Sequence, residues 1–458
     1  MRARGWAARR NRRSWAAVAA LASAVLLLTS CGYPDNLEEF DPEAGDQGCE
    51  EFAQYGKFKN TTVDIFSSIR EIEAERFENS FLRFEYCTGI QIKWEGTGQF
   101  EDDLAKRIAE GKPPDLAPIA QPGLITALVR QGAIKRPSRL VTAQSREKFS
   151  ADWLRYGTVD GTFYAPPLGA NVKSFVWYSP DMFSKYEWKV PESWAELKVL
   201  TEKIAKTTKI KPWCAGIFSP PGDASGWPGT DWVEDVILRT SGVRVYDAWT
   251  EHRIPFNDKR IIDSFDETGS ILRNPRYVNG DFGGVKSIND TSWMEAGTPI
   301  LDQRCALHRA ASFYINQWPP NTRVAEDGDV FAFYLPSRSP RYKPVLGGGE
   351  FLSAFNVRKE TQAVQLYLTS DEWINAKAKA GYWISPSRGL LLDSVENPID
   401  QLSVKLLQDE KAVFRFDASD LMPSDVGAGS FWKGMIEWIG GRSTYDTLTT
   451  IETSWPTS

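Results

Sequence analysis

Along the first third of the chain the apolar residues alternate between two periods. Thr61 to Ile69 (TTVDIFSSI) is β-branched and apolar, as a strand requires. Arg70 to Phe84 then spaces Phe77, Phe81 and Phe84 along one side of a helix. Ile90 to Glu95 (IQIKWE) predicts a second strand, followed by Gly96-Thr97-Gly98 and a helix from Phe100 to Glu110. Asp115 to Ala120 predicts a third strand, broken by Gln121-Pro122-Gly123 before a helix from Leu124 to Gln131. Strand and helix in alternation predict an open α/β sheet with right-handed crossovers. Such sheets hold ligands beyond the carboxyl ends of their strands. The loops at Ser67-Ser68, Gly96 to Gln99 and Gln121 to Gly123 are therefore expected along one edge, with Ser67, Gln99 and Gln121 as candidate ligand groups.

Further on the pattern changes. Ala165 to Tyr178 (APPLGANVKSFVWY) opens on Pro and Gly and runs into Val, Phe, Trp and Tyr, and a crossing between two lobes is expected there. Trp194 to Lys206 is amphipathic and helical, and a helix is expected over Trp232 to Arg239, opened by Thr230-Asp231 with Pro228 ahead of it. Asp231 is then either a candidate ligand contact or an acid in the first turn, where the helix dipole favours it. Ala306 to Ile315 and Val330 to Leu335 predict strands, and Pro336 marks a second crossing. Gly347-Gly348-Gly349 ends a strand over Lys343 to Leu346, and from about Thr361 helix dominates.

The front end is of another kind. Six arginines within the first 13 residues precede an apolar run from Trp15 to Leu28, the grammar of a secretion signal. Leu28-Thr29-Ser30-Cys31 resembles a bacterial lipobox, in which the signal is cut before a cysteine that takes a diacylglycerol. Fourteen helical residues rise only about 21 Å, short of a ~30 Å hydrocarbon core, which argues against a membrane-spanning helix. The arginine pairs leave twin-arginine export open. Gly32 to Gln47, rich in Asp, Glu, Pro and Gly, has little to bury and is expected to be a flexible tether.

Loss of the first 30 residues removes six arginines and no acid, taking the net charge from −6 to near −12. With no basic block, nucleic acid is excluded as a partner. Without the signal and the tether to Gln47 some 410 residues remain, too many for one core and enough for two lobes. With Cys31 spent on lipid, Cys49, Cys87, Cys214 and Cys305 are left, an even number that points to two disulfides in an oxidising compartment. Of three possible pairings, Cys49–Cys87 and Cys214–Cys305 are favoured because each joins segments expected to share a lobe. Zinc would need clustered ligands, and the only histidines are His252 and His308.

A set of short runs now accumulates: Phe100-Glu101, Pro114 to Ala117, Gln121-Pro122-Gly123, Gly226-Trp227-Pro228-Gly229-Thr230-Asp231-Trp232, Ile254 to Asp258, Asp420 to Pro423 and Gly429-Ser430-Phe431-Trp432. In this order they resemble the extracellular solute-binding lipoproteins of bacterial ABC sugar importers, of the maltose-binding-protein-like class, and among them the α-glucoside-binding members. The resemblance spans Cys31 to Ser458. It implies a periplasmic-binding-protein-like α/β fold, two lobes joined by a hinge with a ligand cleft between them. The expected division is a signal over 1–30, a tether over 31–58, an N-terminal lobe from 59–168 and 337–368, and a C-terminal lobe from 169–336 and 369–458. It further implies capture of a carbohydrate, delivery to an ABC permease, membrane attachment through the lipid on Cys31, a monomer, and neither catalysis, metal nor cofactor.

Carried over by position, the resemblance marks Trp227 and Trp432 as aromatic contacts and Gln121 as a polar one. Phe313 falls where the maltose binder has a stacking tryptophan, a departure from the pattern. The triple glycine ending at Gly349 fits a close approach of backbone to ligand, with Glu350 beside it. The chemistry agrees: aromatic rings cover the apolar face of a pyranose, and carboxylates or amides meet its rim of hydroxyls. Two rival readings stand beside this one. A secreted glycoside hydrolase needs two carboxylates at a set separation, and a receptor of the same fold could take a polyamine, an iron complex or an oligopeptide.

Overall fold

The computed structural model describes residues 48–456 apart from 221, 223, 280–282, 340 and 341. The signal, Cys31 and the tether as far as Gln47 lie outside the described residues. Strands of the first half are β1 (Thr61–Ser67), β2 (Ile90–Gly96), β3 (Leu116–Ile119), β4 (Thr158–Val159), β5 (Thr162–Phe163), β6 (Asn171–Val172) and β7 (Phe175–Tyr178). The second half adds β8 (Lys211–Cys214), β9 (Cys305–Arg309), β10 (Phe331–Tyr334), β11 (Lys343–Gly348), β12 (Phe351–Ala354) and β13 (Ala412–Phe416).

The predicted open sheet is present, in the order β12-β3-β1-β2, with β1, β2 and β3 parallel and β12 antiparallel at one edge. Thr61 faces Ile90 and Ser67 faces Gly96, so the carboxyl ends of β1 and β2 coincide. The helix expected over Arg70 to Phe84 is two, Glu71–Asn79 and Leu82–Thr88. Ser80 interrupts it, its hydroxyl bonded back to Phe77 O at 2.6 Å. Phe77, Phe81 and Phe84 remain buried on one side, and Phe77 stacks on Trp94 at 4.6 Å.

A second sheet, β10-β7-β9-β8, forms the core of the other lobe, and a third, β13-β11-β6, lies between them. β6 and β7 are three residues apart in the chain and in different sheets, so the run from Ala165 to Tyr178 passes from the third sheet to the second. The helix placed at Trp232 begins five residues earlier and spans Trp227–Thr240. Gly226 makes that start possible. It sits at φ +109°, and a Cβ there would be 2.2 Å from Trp432 O. The strand expected over Ala306 to Ile315 stops at Arg309, where the chain turns into a 3₁₀ helix, Ser312–Gln317. β8, β12 and β13 are short buried strands whose runs the pattern did not separate from their surroundings.

The disulfides are Cys49–Cys87 and Cys214–Cys305, with Cα atoms 5.3 and 5.7 Å apart. Three boundaries differ from expectation. Residues Glu50–Tyr55 form a 3₁₀ helix with Phe52 and Tyr55 buried, so the folded body starts before residue 59. Ser337 O accepts from Trp194 N at 2.8 Å and Tyr342 Oη from Val243 N at 3.1 Å, which keeps this segment on the second lobe. The return expected at Pro336 therefore takes place at Gly347–Gly349, beside Gly169. A Cβ on Gly349 would lie 2.1 Å from Gly169 O, so only glycine admits this approach of the two crossing strands. Finally, the helix Asp371–Lys379 packs on the first lobe, not the second: Trp373 Nε1 donates to Ser80 Oγ at 2.9 Å and its ring lies 6.1 Å from Phe77.

Candidate functional site

A cavity of about 210 Å³ opens between the lobes. Trp227, Phe313 and Trp432 contribute rings to its lining, and Ala120, Gly348, Gly349 and Glu350 line it as well. Asn171 and Lys173 on the crossing strand, with Asp417, Ser419 and Asp420 after β13, complete it. A larger, shallow hollow of about 540 Å³ around Ser241–Val245, Arg260 and Tyr342 holds none of the candidate residues.

Trp227 occupies the first position of its helix, and Trp432 the junction where a π-helical turn, Asp425–Phe431, runs into the α-helix Trp432–Ile439. Trp227 meets Trp293 edge-on at 5.1 Å and Phe313 at 6.1 Å, giving a rigid aromatic floor. Trp432 Nε1 donates to Ser419 Oγ at 3.4 Å. Phe313 belongs to the 3₁₀ segment that replaced the expected strand, and that turn is what brings its ring to the cavity.

Beneath this floor runs a chain of buried ion pairs. Lys173 Nζ donates to Asp231 Oδ1 at 3.1 Å and to Asp417 Oδ2. Asp231 Oδ2 accepts from Arg309 at 3.1 Å, Arg309 reaches Asp235 Oδ2 at 2.9 Å, and Asp235 accepts from Arg239. Arg239 Nε ends the chain on Leu335 O at 3.0 Å. Ser174 Oγ ties the crossing strand to the same network, donating to Asp235 Oδ1 at 2.8 Å and accepting from Leu346 N.

Burial raises Asp231 to about 6, against the pull of Lys173 and Arg309. Burial likewise opposes the charge on Asp417, but Lys173 and hydrogen bonds hold that carboxyl below its ordinary value. Lys173 itself resists deprotonation: desolvation works against its charge, and the carboxylates of Asp231 and Asp417 outweigh it. Asp231, Glu234 and Asp417 can bring carboxylate oxygens within 4.8 Å of one another. The ammonium of Lys173 bonds two of the three, and Glu234 accepts from Ala418 N and Ser419 N, so the cluster is already neutralised from within.

The other side of the cavity is less satisfied. Glu350 is pushed up to about 7, by burial and then by Glu73. Gln121 stands beside Ala120 at the N-cap of the helix Pro122–Arg130, its Nε2 on Glu101 Oε1 at 2.9 Å. Its Oε1 is buried without a hydrogen-bond partner among the described residues.

Of the sequence candidates, Trp227, Phe313, Gly349, Glu350 and Trp432 are brought together, and Gln121 adjoins them. Asp231 is not a lining residue but the centre of the charge network, fully enclosed inside its helix rather than in a first turn. Ser67 is buried and accepts from Ile69 N at 3.0 Å, and Gln99 is the exposed N-cap residue of the helix Phe100–Ala109; neither lines the cavity. Sequence reasoning missed Asn171, Lys173, Asp417 and Asp420. A lone cation inside the apolar run around Lys173 is the one signal that could have revealed it.

Residues 62–369 match the bacterial extracellular solute-binding protein family. The osmoprotective compounds-binding protein GgtB of Synechocystis is 33% identical over 96% of this chain and 99% of its own length. The α-glucosides-binding periplasmic protein AglE of Rhizobium meliloti is 33% identical over 89% of each. Among solved structures, the bacterial solute receptor AcbH superposes with a TM-score of 0.69 at 19% identity, covering 86% of this chain and 96% of AcbH. Maltose-bound MalE3 of T. maritima gives 0.64 at 14%, covering 86% and 98%. At those identities the structures speak for the fold alone.

Proposed function

Because the chain belongs to the bacterial extracellular solute-binding proteins, we propose that its cleft captures a neutral carbohydrate, an α-glucoside of one or two rings, for an ABC importer. The observation that carries this reading is the mixed lining of the cavity: the rings of Trp227, Phe313 and Trp432 together with the carboxyl groups of Glu350, Asp417 and Asp420, with the unpartnered Oε1 of Gln121 next to Ala120. Rings cover the C–H face of a pyranose and acceptors take its hydroxyls. Lys173 is the one cation lining the cavity against Glu350, Asp417 and Asp420. That excess of carboxyl groups favours hydroxyl donors and disfavours an anionic glycoside. A volume of about 210 Å³ is below the ~300 Å³ of ordinary small-molecule sites, which supports a short ligand over an oligosaccharide.

The names of the two relatives point the same way, to α-glucosides and to osmoprotective compounds. The family is one of binding proteins, so capture without turnover is the activity. On this reading the lobes divide at Gly169–Val172 and Gly347–Gly349. Ligand bound to the aromatic wall would favour closure by adding contacts to Glu350 and Gln121, a population shift driven by differential affinity. The closed form is what the permease reads, and a lipid on Cys31 keeps the monomer at the membrane. Substituting Cys31 by alanine should release the protein from the membrane fraction.

Calorimetric titration with trehalose, sucrose and maltose, beside a carboxylate-bearing glucoside, tests the reading. A neutral member should bind with micromolar affinity, a net of about 8 kcal/mol, and the anionic one at least tenfold more weakly. Absence of heat with every neutral sugar at millimolar concentration sinks it.

A further inference from the structure

Behind Glu350 lie two polar groups that the cleft's wall does not use. Trp383 is 6% exposed and its Nε1 has no hydrogen-bond partner among the described residues. Lys377 is fully buried and its Nζ is likewise without one, resting 4.5 Å from the ring centre of Phe77 and 5.6 Å from that of Trp383. A Cβ on Gly169 would lie 2.2 Å from Glu350 Oε2 and 2.7 Å from Trp383 Nε1, so the two atoms are near neighbours across the space this glycine leaves. Two buried donors without acceptors are costly in an apolar surrounding. They border an acceptor whose front faces the cavity.

We infer that Trp383 and Lys377 are positioning residues for Glu350: the indole N–H and the side-chain nitrogen engage the rear of its carboxylate when a ligand hydroxyl engages the front. The inference rests on the carbohydrate reading of the cleft. In the free protein burial and Glu73 keep Glu350 ready to hold a proton near neutrality, while Lys377 works the other way. Burial holds Lys377 down at about 7, offset by Glu73, Asp400 and Glu350 and reinforced by Arg76. Lys173, Asp417 and Asp420 face the same carboxylate across the cavity. A ligand hydroxyl donating to Glu350 favours its charged form and expels the proton, and the two rear donors hold the carboxylate that results. Affinity therefore falls on the acid side of neutrality.

The test is affinity for the best α-glucoside, measured from acid to alkaline pH, in the wild type, Trp383→Phe, Lys377→Met and Glu350→Gln, each checked for native circular dichroism. Trp383→Phe and Lys377→Met should each weaken binding about tenfold at neutral pH and move the pH midpoint upward. In the Glu350→Gln background either substitution should change affinity less than about twofold, because its target is gone. An unmoved midpoint, or a full effect persisting in that background, overturns the inference. If the wild type binds no sugar, the functional reading fails separately. The module is then tested by carbon NMR of Glu350 in the free protein, whose titration Lys377→Met must shift upward; an unchanged titration refutes it.

Discussion

The two walls of the cleft solve the burial of polar groups in opposite ways. Under the aromatic residues the buried charges are paired before any ligand arrives: Lys173, Asp231, Arg309, Asp235 and Arg239 form an unbroken chain. On the other side Gln121 Oε1, Trp383 Nε1 and Lys377 Nζ are buried without hydrogen-bond partners among the described residues. The first wall is a finished platform held to both crossing strands through Ser174, which donates to Asp235 and accepts from Leu346 N. The second is incomplete, and a ligand that brings hydroxyls gains most by completing it. On the proposed reading a ligand docks on the rigid wall first and closure brings the other to it.

The comparison can be broken most severely at Asp235. Asp235→Ala leaves Arg239 and Arg309 without a shared counter-charge, and urea unfolding should show a loss of about 3–5 kcal/mol. Trp227→Ala removes the platform's central ring with the fold retained. Titration followed by tryptophan emission should show binding weakened by roughly 2–4 kcal/mol, the range of a buried aromatic anchor; unchanged affinity takes this residue out of the site. Glu350→Gln keeps an acceptor and loses its charge, so affinity should fall by about 1.5 kcal/mol and its pH dependence near neutrality should flatten.

A comparable effect falls on stability and its pH dependence. Lys377 binds its proton less well folded than unfolded, its value lowered by burial from 10.5 to about 7. The unfolded chain therefore carries the extra proton between those limits, and stability rises as pH increases through that window. Lys377→Met should stabilise the protein by ~1–3 kcal/mol at neutral pH and below, with the gain fading toward alkaline pH. Thermal melts across pH would show it. Glu350 contributes with the opposite slope: its raised value makes stability decline as pH climbs from the ordinary carboxylate range to about 7.

Much of this molecule was legible in its residues. The alternation from Thr61 to Gln131 specified a parallel sheet, and the cysteine positions, once lobes were assumed, indicated both disulfides. Trp227 stood out because Gly226 and Pro228 flank it, yet the same Gly and Pro were read as loop and not as a helix start. The pairing of Lys173 with Asp231 and Asp417 could not be read, since those residues are 58 and 244 positions apart from it in sequence. The expected return at Pro336 failed for a related reason: proline marks a bend, and which lobe the bent segment rests on is set by Trp194 and Val243 far away.

Local order thus came from the chain itself. Hydrophobic period and the placement of glycine and proline depend on near neighbours, and they specified strands and most helices; the two-lobed class came from the family resemblance. Tertiary packing decided which carboxyl is sequestered in a salt bridge and which faces the cavity. Asp231 and Glu350 are alike in one dimension. They are separated in setting because Lys173 and Arg309 converge on the first, while the second lines the cavity beside Gly169.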